Sequence, residues 1–165
     1  MADVKLAYGT ATAFTITNAN LASSATNGWR SNAVDNTTNL YMDALVTIEL
    51  AAVNTAPANS SAIFLYAYAL IDDAGSAYTG TGDQVPDGSE GTLAFPDVTT
   101  NALPIPLLGV VPYPKQNEAI NGGPFSVARA FGGNLPPKWG VAMVNHSGMT
   151  LSVTAIKYRP VYGTV

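Results

Sequence analysis

The segment NLYMDALVTIEL, residues 39 to 50, alternates apolar and polar side chains almost without interruption. Every second position is apolar: Leu40, Met42, Ala44, Val46, Ile48 and Leu50. A period of two places such residues on one face of a β-strand. About eight short segments of this kind, separated by turn signals, recur along the chain, and helical periodicity with good caps does not. The sequence therefore predicts an all-β, single-domain antiparallel β-sandwich, with a jelly roll as the first choice of topology.

Composition indicates a weakly charged surface. Of the 165 residues, 47% are hydrophobic and 11% are charged, against about 25% charged in ordinary soluble domains. The segment SSAIFLYAYALI is apolar on both faces, so it predicts a strand that is central in its sheet or whose outer face is covered. More apolar surface than one sandwich can easily cover favours a homo-oligomer, with a homotrimer first.

Charge and targeting signals restrict the partners. Six acidic residues and no basic one lie between residues 72 and 97, whereas the five basic residues after residue 100 are scattered. Scattered charges do not make the basic stripe of a nucleic-acid-binding protein, so we expect no direct contact with nucleic acid. No stretch is long enough for a membrane helix and the start does not resemble a signal peptide, which predicts synthesis in a cytoplasm and no membrane partner.

Residues that carry chemistry are few. The chain has no cysteine, and its one histidine, His146, lies in a predicted turn, NHSG. Neither a nucleophile elbow nor a phosphate-binding loop is present. The acidic segment 72–92 offers carboxylates to calcium without the ordered spacing of a calcium loop, so calcium binding stays open and no metal or cofactor is predicted. We expect this segment to be an exposed, mobile loop, and we expect no catalytic residues and no enzyme activity.

Three local predictions concern a strand, a hairpin and a buried side chain. GGPFSVARAFGG alternates and is interpreted as a strand. The segments before and after NHSG are interpreted as the two arms of a β-hairpin. Trp29, in a polar loop, is interpreted as a buried anchor.

The N-terminal segment precedes the first clear strand. Residues 1–9 are predicted to be an extended arm, and residues 10–165 to be the sandwich domain. Such an arm can pair its backbone with the sheet edge of a neighbouring subunit. Lys5 and Tyr8 are therefore the candidate partner-interface residues.

The last third of the chain carries a family resemblance. Its pattern runs F-S-x-A-x-A-F-G-G, L-P-x-K-W-G, N-x-S-G and K-Y-x-x-V-Y over about 60 residues. In this pattern the chain resembles small structural proteins encoded among the head genes of tailed bacteriophages, namely capsid decoration or cement proteins. The resemblance implies a jelly-roll or related β domain on the capsid surface of a virion. It implies binding between subunits of the phage major capsid protein, as a trimer or dimer, and stabilisation of the head without catalysis.

Two other functions remain open from the sequence. One is another virion component, such as a tail, fibre or neck subunit. The other is a carbohydrate-binding module, because eight tyrosines and two tryptophans could supply rings that stack on sugars.

Overall fold

The computed structural model describes residues 5–17, 20–24, 26–57, 62–70, 86–94, 105–112 and 115–164. These ranges contain the following elements: β1 (Lys5–Tyr8), β2 (Thr12–Ala13), β3 (Asn20–Leu21), β4 (Asn27–Arg30), β5 (Val34–Asp35), β6 (Asp43–Leu50), β7 (Ala62–Leu70), β8 (Gly91–Ala94), β9 (Leu107–Pro112), β10 (Ile120–Ser126), α1 (Val127–Ala130), β11 (Lys138–Asn145) and β12 (Leu151–Thr164). Strands take 56% of the described residues and helix 3%, which confirms the all-β prediction.

The strands form two antiparallel sheets that pack as a sandwich. The first sheet has the order β1-β12-β6-β10, and β2 and β3 pair with further positions along β12. The second sheet has the order β8-β4-β11-β7-β9, and β5 also pairs with β11. The predicted single antiparallel β-sandwich is confirmed.

The pairing of the strands is nested along the chain. The first strand segments, β1 to β3, pair with the last strand, β12, and the next two, β4 and β5, pair with β11. Between them, β6 pairs with β10 and β7 pairs with β9. The chain changes sheet at each step between these units except from β7 to β9, where β7, β8 and β9 all belong to the second sheet.

The predicted hairpin at NHSG is wrong. β11 belongs to the second sheet and β12 to the first, so residues 146–150 cross between sheets. The amide of Asn145 fixes this corner, because its Nδ2 donates to the carbonyls of Leu21 (2.8 Å) and Met149 (2.7 Å) and its Oδ1 accepts from the N–H of Ser147 (2.9 Å). Both strands bury one face in the space between the sheets, and β11 buries its other face as well, with Ala142 and Val144. On β12 a bulge before Ala155 places Ile156, not Ala155, in the core.

The segment PFSVARAF is only partly a strand. β10 ends at Ser126, and Val127 begins the single turn of α1. The Ser126 Oγ accepts from the N–H of Arg129 at 3.1 Å, and Asp43 Oδ1 accepts from the N–H of Ala128 at 2.8 Å. Two side chains thus satisfy backbone donors that a helix start leaves without partners, which ends the strand early.

The main core lies between the two sheets. β6 contributes Ala44, Val46, Ile48 and Leu50, all at most 2% exposed, as the alternation predicted. Trp29 is 1% exposed, which confirms its interpretation as a buried anchor. Leu40 and Met42 differ from the prediction, since they precede β6 and are 74% and 53% exposed.

A second hydrophobic cluster covers the outer face of the second sheet. It consists of Tyr66, Tyr68, Leu70, Leu93, Ile105, Ala142 and Val144. The doubly apolar segment is β7, which lies inside the sheet between β11 and β9, and its outer residues pack in this cluster. The prediction of a central or covered strand is confirmed. Because the chain buries both faces of β7 itself, this strand gives no support to oligomerisation.

The end of the acidic segment is anchored. Residues 72–85 lie outside the described residues, and calcium binding by this segment stays open. Asp87 accepts from Arg30 at 3.0 Å, and Glu90 accepts from the indole Nε1 of Trp29 at 2.6 Å. Glu90 also accepts from the backbone N–H and the hydroxyl of Thr17. These contacts tie the start of β8 to β4.

Glu90 should make stability depend on pH. Desolvation raises the pKa of its carboxyl, but the hydrogen bonds from Thr17 and Trp29 together hold that pKa below its usual 4.5. A carboxyl whose folded pKa is depressed stabilises the fold fully above its unfolded pKa and loses that contribution as pH falls through the folded value. We expect Glu90→Gln to reduce the loss of stability below about pH 4.5, measured by urea unfolding at a series of pH values. Equal pH slopes for Glu90→Gln and the parent would contradict the prediction.

Candidate interaction surface

A short two-stranded ribbon forms one edge of the first sheet. It consists of β1 and residues 161–164 of β12, paired from Lys5 with Thr164 to Tyr8 with Val161. β6 pairs with β12 only as far as Val161. Residues 162–164 of β12 therefore pair with β1 alone among the described strands. Among the described residues β1 has no second strand beside it. We call residues 5–8 and 161–164 the β1–β12 ribbon.

The opposite side of the sandwich is closed instead. There β9 and β10 end their sheets, and the backbone of Gly122 approaches the side chain of Val111 so closely that a Cβ on this glycine would overlap it. The two edge strands thus contact each other at this point, although a groove of about 600 Å³ lies further along, between Leu107 and Pro124. The β1–β12 ribbon is therefore the more accessible strand edge of the first sheet.

The outer face of the ribbon is apolar. Residues paired directly across an antiparallel ladder share a face, so Leu6 and Tyr8 lie on the same face as Val161. Leu6 and Tyr8 are each 58% exposed. Beside them a groove of about 520 Å³ runs towards α1, with this lining: Leu6, Tyr8, Met42, Asp43, Leu45, Ser126, Ala128, Arg129, Gly132, Gly133 and Val161. We call it the outer groove.

Exposed apolar side chains concentrate near this ribbon. The large hydrophobic residues that the described chain exposes are Leu6, Tyr8, Leu40, Met42, Leu107 and Val110. The first four line the grooves at the ribbon, and only the last two lie on β9. Exposed apolar residues gathered in one place mark an interaction surface, whereas single ones do not.

Hydrogen bonds hold the floor of the outer groove. Asp43, the first residue of β6, accepts from the Ser126 hydroxyl at 2.7 Å and from the Ala128 N–H at 2.8 Å. One carboxylate thus joins β6 to the start of α1. The groove is a formed feature of the fold, because Asp43 fixes α1 to β6, while β12 pairs with β6 on one side and with β1 on the other.

A second groove lies on the inner face of the ribbon. It has a volume of about 600 Å³ and this lining: Gly9, Thr10, Thr12, Asn39, Leu40, Tyr41, Tyr158, Pro160, Tyr162 and Gly163. The rings of Tyr41 and Tyr162 lie 6.3 Å apart at 41°. Tyr158 packs against Phe14 (5.2 Å) and Trp139 (5.4 Å), which joins the groove to the core. We call it the tyrosine groove.

The structure places both predicted interface residues in β1 but on different faces. Tyr8 lines the outer groove with Leu6, whereas Lys5 lies on the face of Ala7 and its carbonyl accepts from the Thr164 hydroxyl at 3.3 Å. Residues 5–8 belong to the sheet of their own chain, which differs from the expected boundary between an arm at 1–9 and a domain at 10–165. Residues 1–4 lie outside the described residues, and contact of this segment with a neighbouring subunit stays a prediction.

The sequence interpretation missed the residues that complete the grooves. Leu40, Tyr41 and Met42 were assigned to a strand, and Tyr162 was not singled out. The sequence pattern carries no signal for them, because Leu40 and Met42 continue the alternation of β6.

His146 is half-buried at the corner between β11 and β12. Its backbone N–H donates to the Ala62 carbonyl at 2.9 Å, and its ring meets the Phe64 ring edge-on at 5.6 Å. In the described part of the chain no three side chains of the metal-binding types gather. Nor does any helix there have the length and apolar character needed to cross a membrane.

Comparison with known proteins finds no matching family model, no similar curated protein and no similar solved structure.

Proposed function

We propose that this chain is a non-enzymatic structural protein of a bacteriophage virion, a capsid decoration or cement protein. It binds between subunits of the major capsid protein at the capsid surface and stabilises the head. The observation that carries this proposal is the β1–β12 ribbon, where an accessible strand edge and four exposed apolar side chains coincide on a weakly charged sandwich. The sequence resemblance to phage decoration proteins supplies the class of partner.

The nested strand pairing supports a jelly-roll topology. A jelly roll is a two-sheet domain of eight strands in two Greek keys, and the eight units described above pair first with last, second with seventh, third with sixth and fourth with fifth. Jelly rolls occur in viral capsid proteins and also in lectins and cupins, so the topology is compatible with the proposal without selecting it.

The ribbon offers two ways of holding a partner. An extended segment of a capsid subunit can add a strand beside β1, where main-chain hydrogen bonds supply affinity. The side chains of Leu6, Tyr8 and Met42 can then enter apolar pockets on the partner, and aromatic anchors of this kind dominate binding energy in protein interfaces. Because apolar contacts are little screened by ions, attachment should persist at high salt.

Self-association is part of the same proposal. A homotrimer, or another homo-oligomer, would place several ribbons on the capsid at once, and each further contact then forms at a high effective concentration. Exposed apolar residues at the ribbon support this, whereas β7 does not.

The test combines imaging with two matched variants. Cryo-electron microscopy of the virion should show this chain at regular positions on the head. Density in the tail would favour a tail, fibre or neck subunit, and absence from the particle would contradict the proposal.

Leu6→Ser with Tyr8→Ala should weaken decoration of capsids at least tenfold, since each anchor contributes about 1 kcal/mol or more. Both side chains are largely exposed, so the sandwich should stay folded. Leu107→Ser, at a residue 50% exposed on the closed side, is the control and should bind like the parent. Equal binding by the ribbon variant and the parent, titrated at one salt concentration, would place attachment elsewhere.

A further inference from the structure

We infer that the tyrosine groove is a binding site for a neutral oligosaccharide. This goes beyond attachment to a capsid and does not rest on it, because the groove lies on the face of the ribbon opposite Leu6 and Tyr8. Tyr162 pairs directly with Ala7, while Leu6 pairs with Gly163 and Tyr8 with Val161, so the two sets alternate between the faces.

Aromatic rings form one wall of the groove. Tyr158, Pro160 and Tyr162 occupy alternate positions of β12 and so share a face, and Tyr41 approaches Tyr162 from the segment before β6. All three tyrosines are partly exposed. Ring faces carry negative charge density and attract the polarised C–H groups of a pyranose, and each tyrosine adds a hydroxyl at its edge.

The position of Tyr41 is fixed before any ligand arrives. The buried side chain of Asn36 donates from Nδ2 to the Tyr41 carbonyl (3.1 Å), and its Oδ1 accepts from the Tyr41 N–H (2.8 Å). The intervening turn includes Leu40 with a φ of 52°, a left-handed conformation that is uncommon outside glycine. A backbone held at both polar groups loses little further freedom on binding, which favours affinity.

Polar groups without formal charge complete the lining. Thr10, Thr12 and Asn39 are exposed at the groove, and none of its ten lining residues is charged. Hydroxyl and amide groups both donate and accept, which matches the hydroxyls of a sugar. A nucleotide, a phosphorylated ligand or an acidic glycan would need cationic side chains here. The volume of about 600 Å³ lies within the range of roughly 300–1,000 Å³ of small-molecule sites.

The probes are maltohexaose, laminarihexaose and chitohexaose, with hexaproline as the peptide alternative. Saturation-transfer NMR on the full chain should detect binding of at least one hexasaccharide, with the strongest transfer to ring C–H protons. Tyr41→Ala and Tyr162→Ala should each weaken this binding about tenfold or more. Tyr162→Phe, which keeps the ring and the strand, should retain most of it. Tyr8→Ala is the matched control, a tyrosine of the same ribbon on the other face, and should bind like the parent.

Three outcomes would overturn the inference. The first is the absence of transfer to all three hexasaccharides at millimolar concentration. The second is equal weakening by Tyr8→Ala and Tyr41→Ala, and the third is preferential binding of hexaproline, which would make the groove a peptide site. Loss of capsid decoration by Leu6→Ser with Tyr8→Ala, with saccharide binding unchanged, would show that the two faces act separately.

Discussion

Trp139→Ala is expected to lower the free energy of unfolding by about 3–5 kcal/mol, the usual loss when a fully buried indole is removed. Trp139 is 0% exposed and lies on β11, inside the second sheet. Its ring stands edge-on to Phe14 at 6.1 Å and to Tyr158 at 5.4 Å, so the cavity would open where both sheets meet. Urea unfolding followed by circular dichroism measures the change.

Trp139→Phe separates the packing of the aromatic ring from the effect of the unpaired indole N–H. In the described chain the indole Nε1 of Trp139 is buried without an oxygen or nitrogen acceptor. A phenyl ring keeps the aromatic contacts and leaves no unpaired N–H, so its cost should be well below that of alanine. A phenylalanine variant as unstable as the alanine variant would contradict this prediction and show that the site requires the full size of the indole.

Gly140→Ala is expected to cost about 3 kcal/mol, at the upper end for an overpacked core. Gly140 pairs directly with Tyr68 on β7, and the Tyr68 ring lies across it, so that a Cβ at this position would overlap the ring. The ring has little freedom to withdraw, because it is 1% exposed and its hydroxyl donates to the Ser31 carbonyl at 2.6 Å. The added methyl group must displace the ring and break this hydrogen bond.

A double-mutant cycle tests that cause. With Tyr68→Ala the ring is gone, so Gly140→Ala should cost at least about 1 kcal/mol less in that background than in the parent. Val141→Ala, on the neighbouring residue that faces the other side of the sheet, is the control and should show little coupling to Tyr68→Ala. Additive effects of Gly140→Ala and Tyr68→Ala would mean that the glycine is required for another reason. Urea unfolding curves give the free energy of unfolding of each single and double variant.

The sequence predicted the strands better than their partners. Alternation identified β6 and its buried face, and a run apolar on both faces identified β7, because both patterns depend only on residues close in the chain. Pairing depends on residues far apart, so the two strands around NHSG were wrongly joined as a hairpin. The turn of α1 depended on Asp43, which lies 85 residues from the Ala128 it caps.

The candidate site was predicted only in part. Tyr8 was identified because an exposed N-terminal segment with an aromatic residue suggests contact with a partner. The tyrosine groove could not be found in this way, since Tyr41 reaches Tyr162 only through the turn that Asn36 organises. Leu40 and Met42 continue the alternation of β6, so the pattern predicts that they are buried, whereas both are exposed.

The nested pairing has a consequence for how the chain acquires its fold. Lys5 and Thr164, which close the β1–β12 ribbon, are 159 residues apart. The first sheet lacks its inner strand, β12, until residues 151–164 have been synthesised, and folding dominated by such distant contacts is slow. Until then β6 has an unpaired edge that can pair with another chain and cause aggregation. Formation of the ribbon is therefore a late event, and a chain that has not finished folding has no complete surface with which to bind a partner.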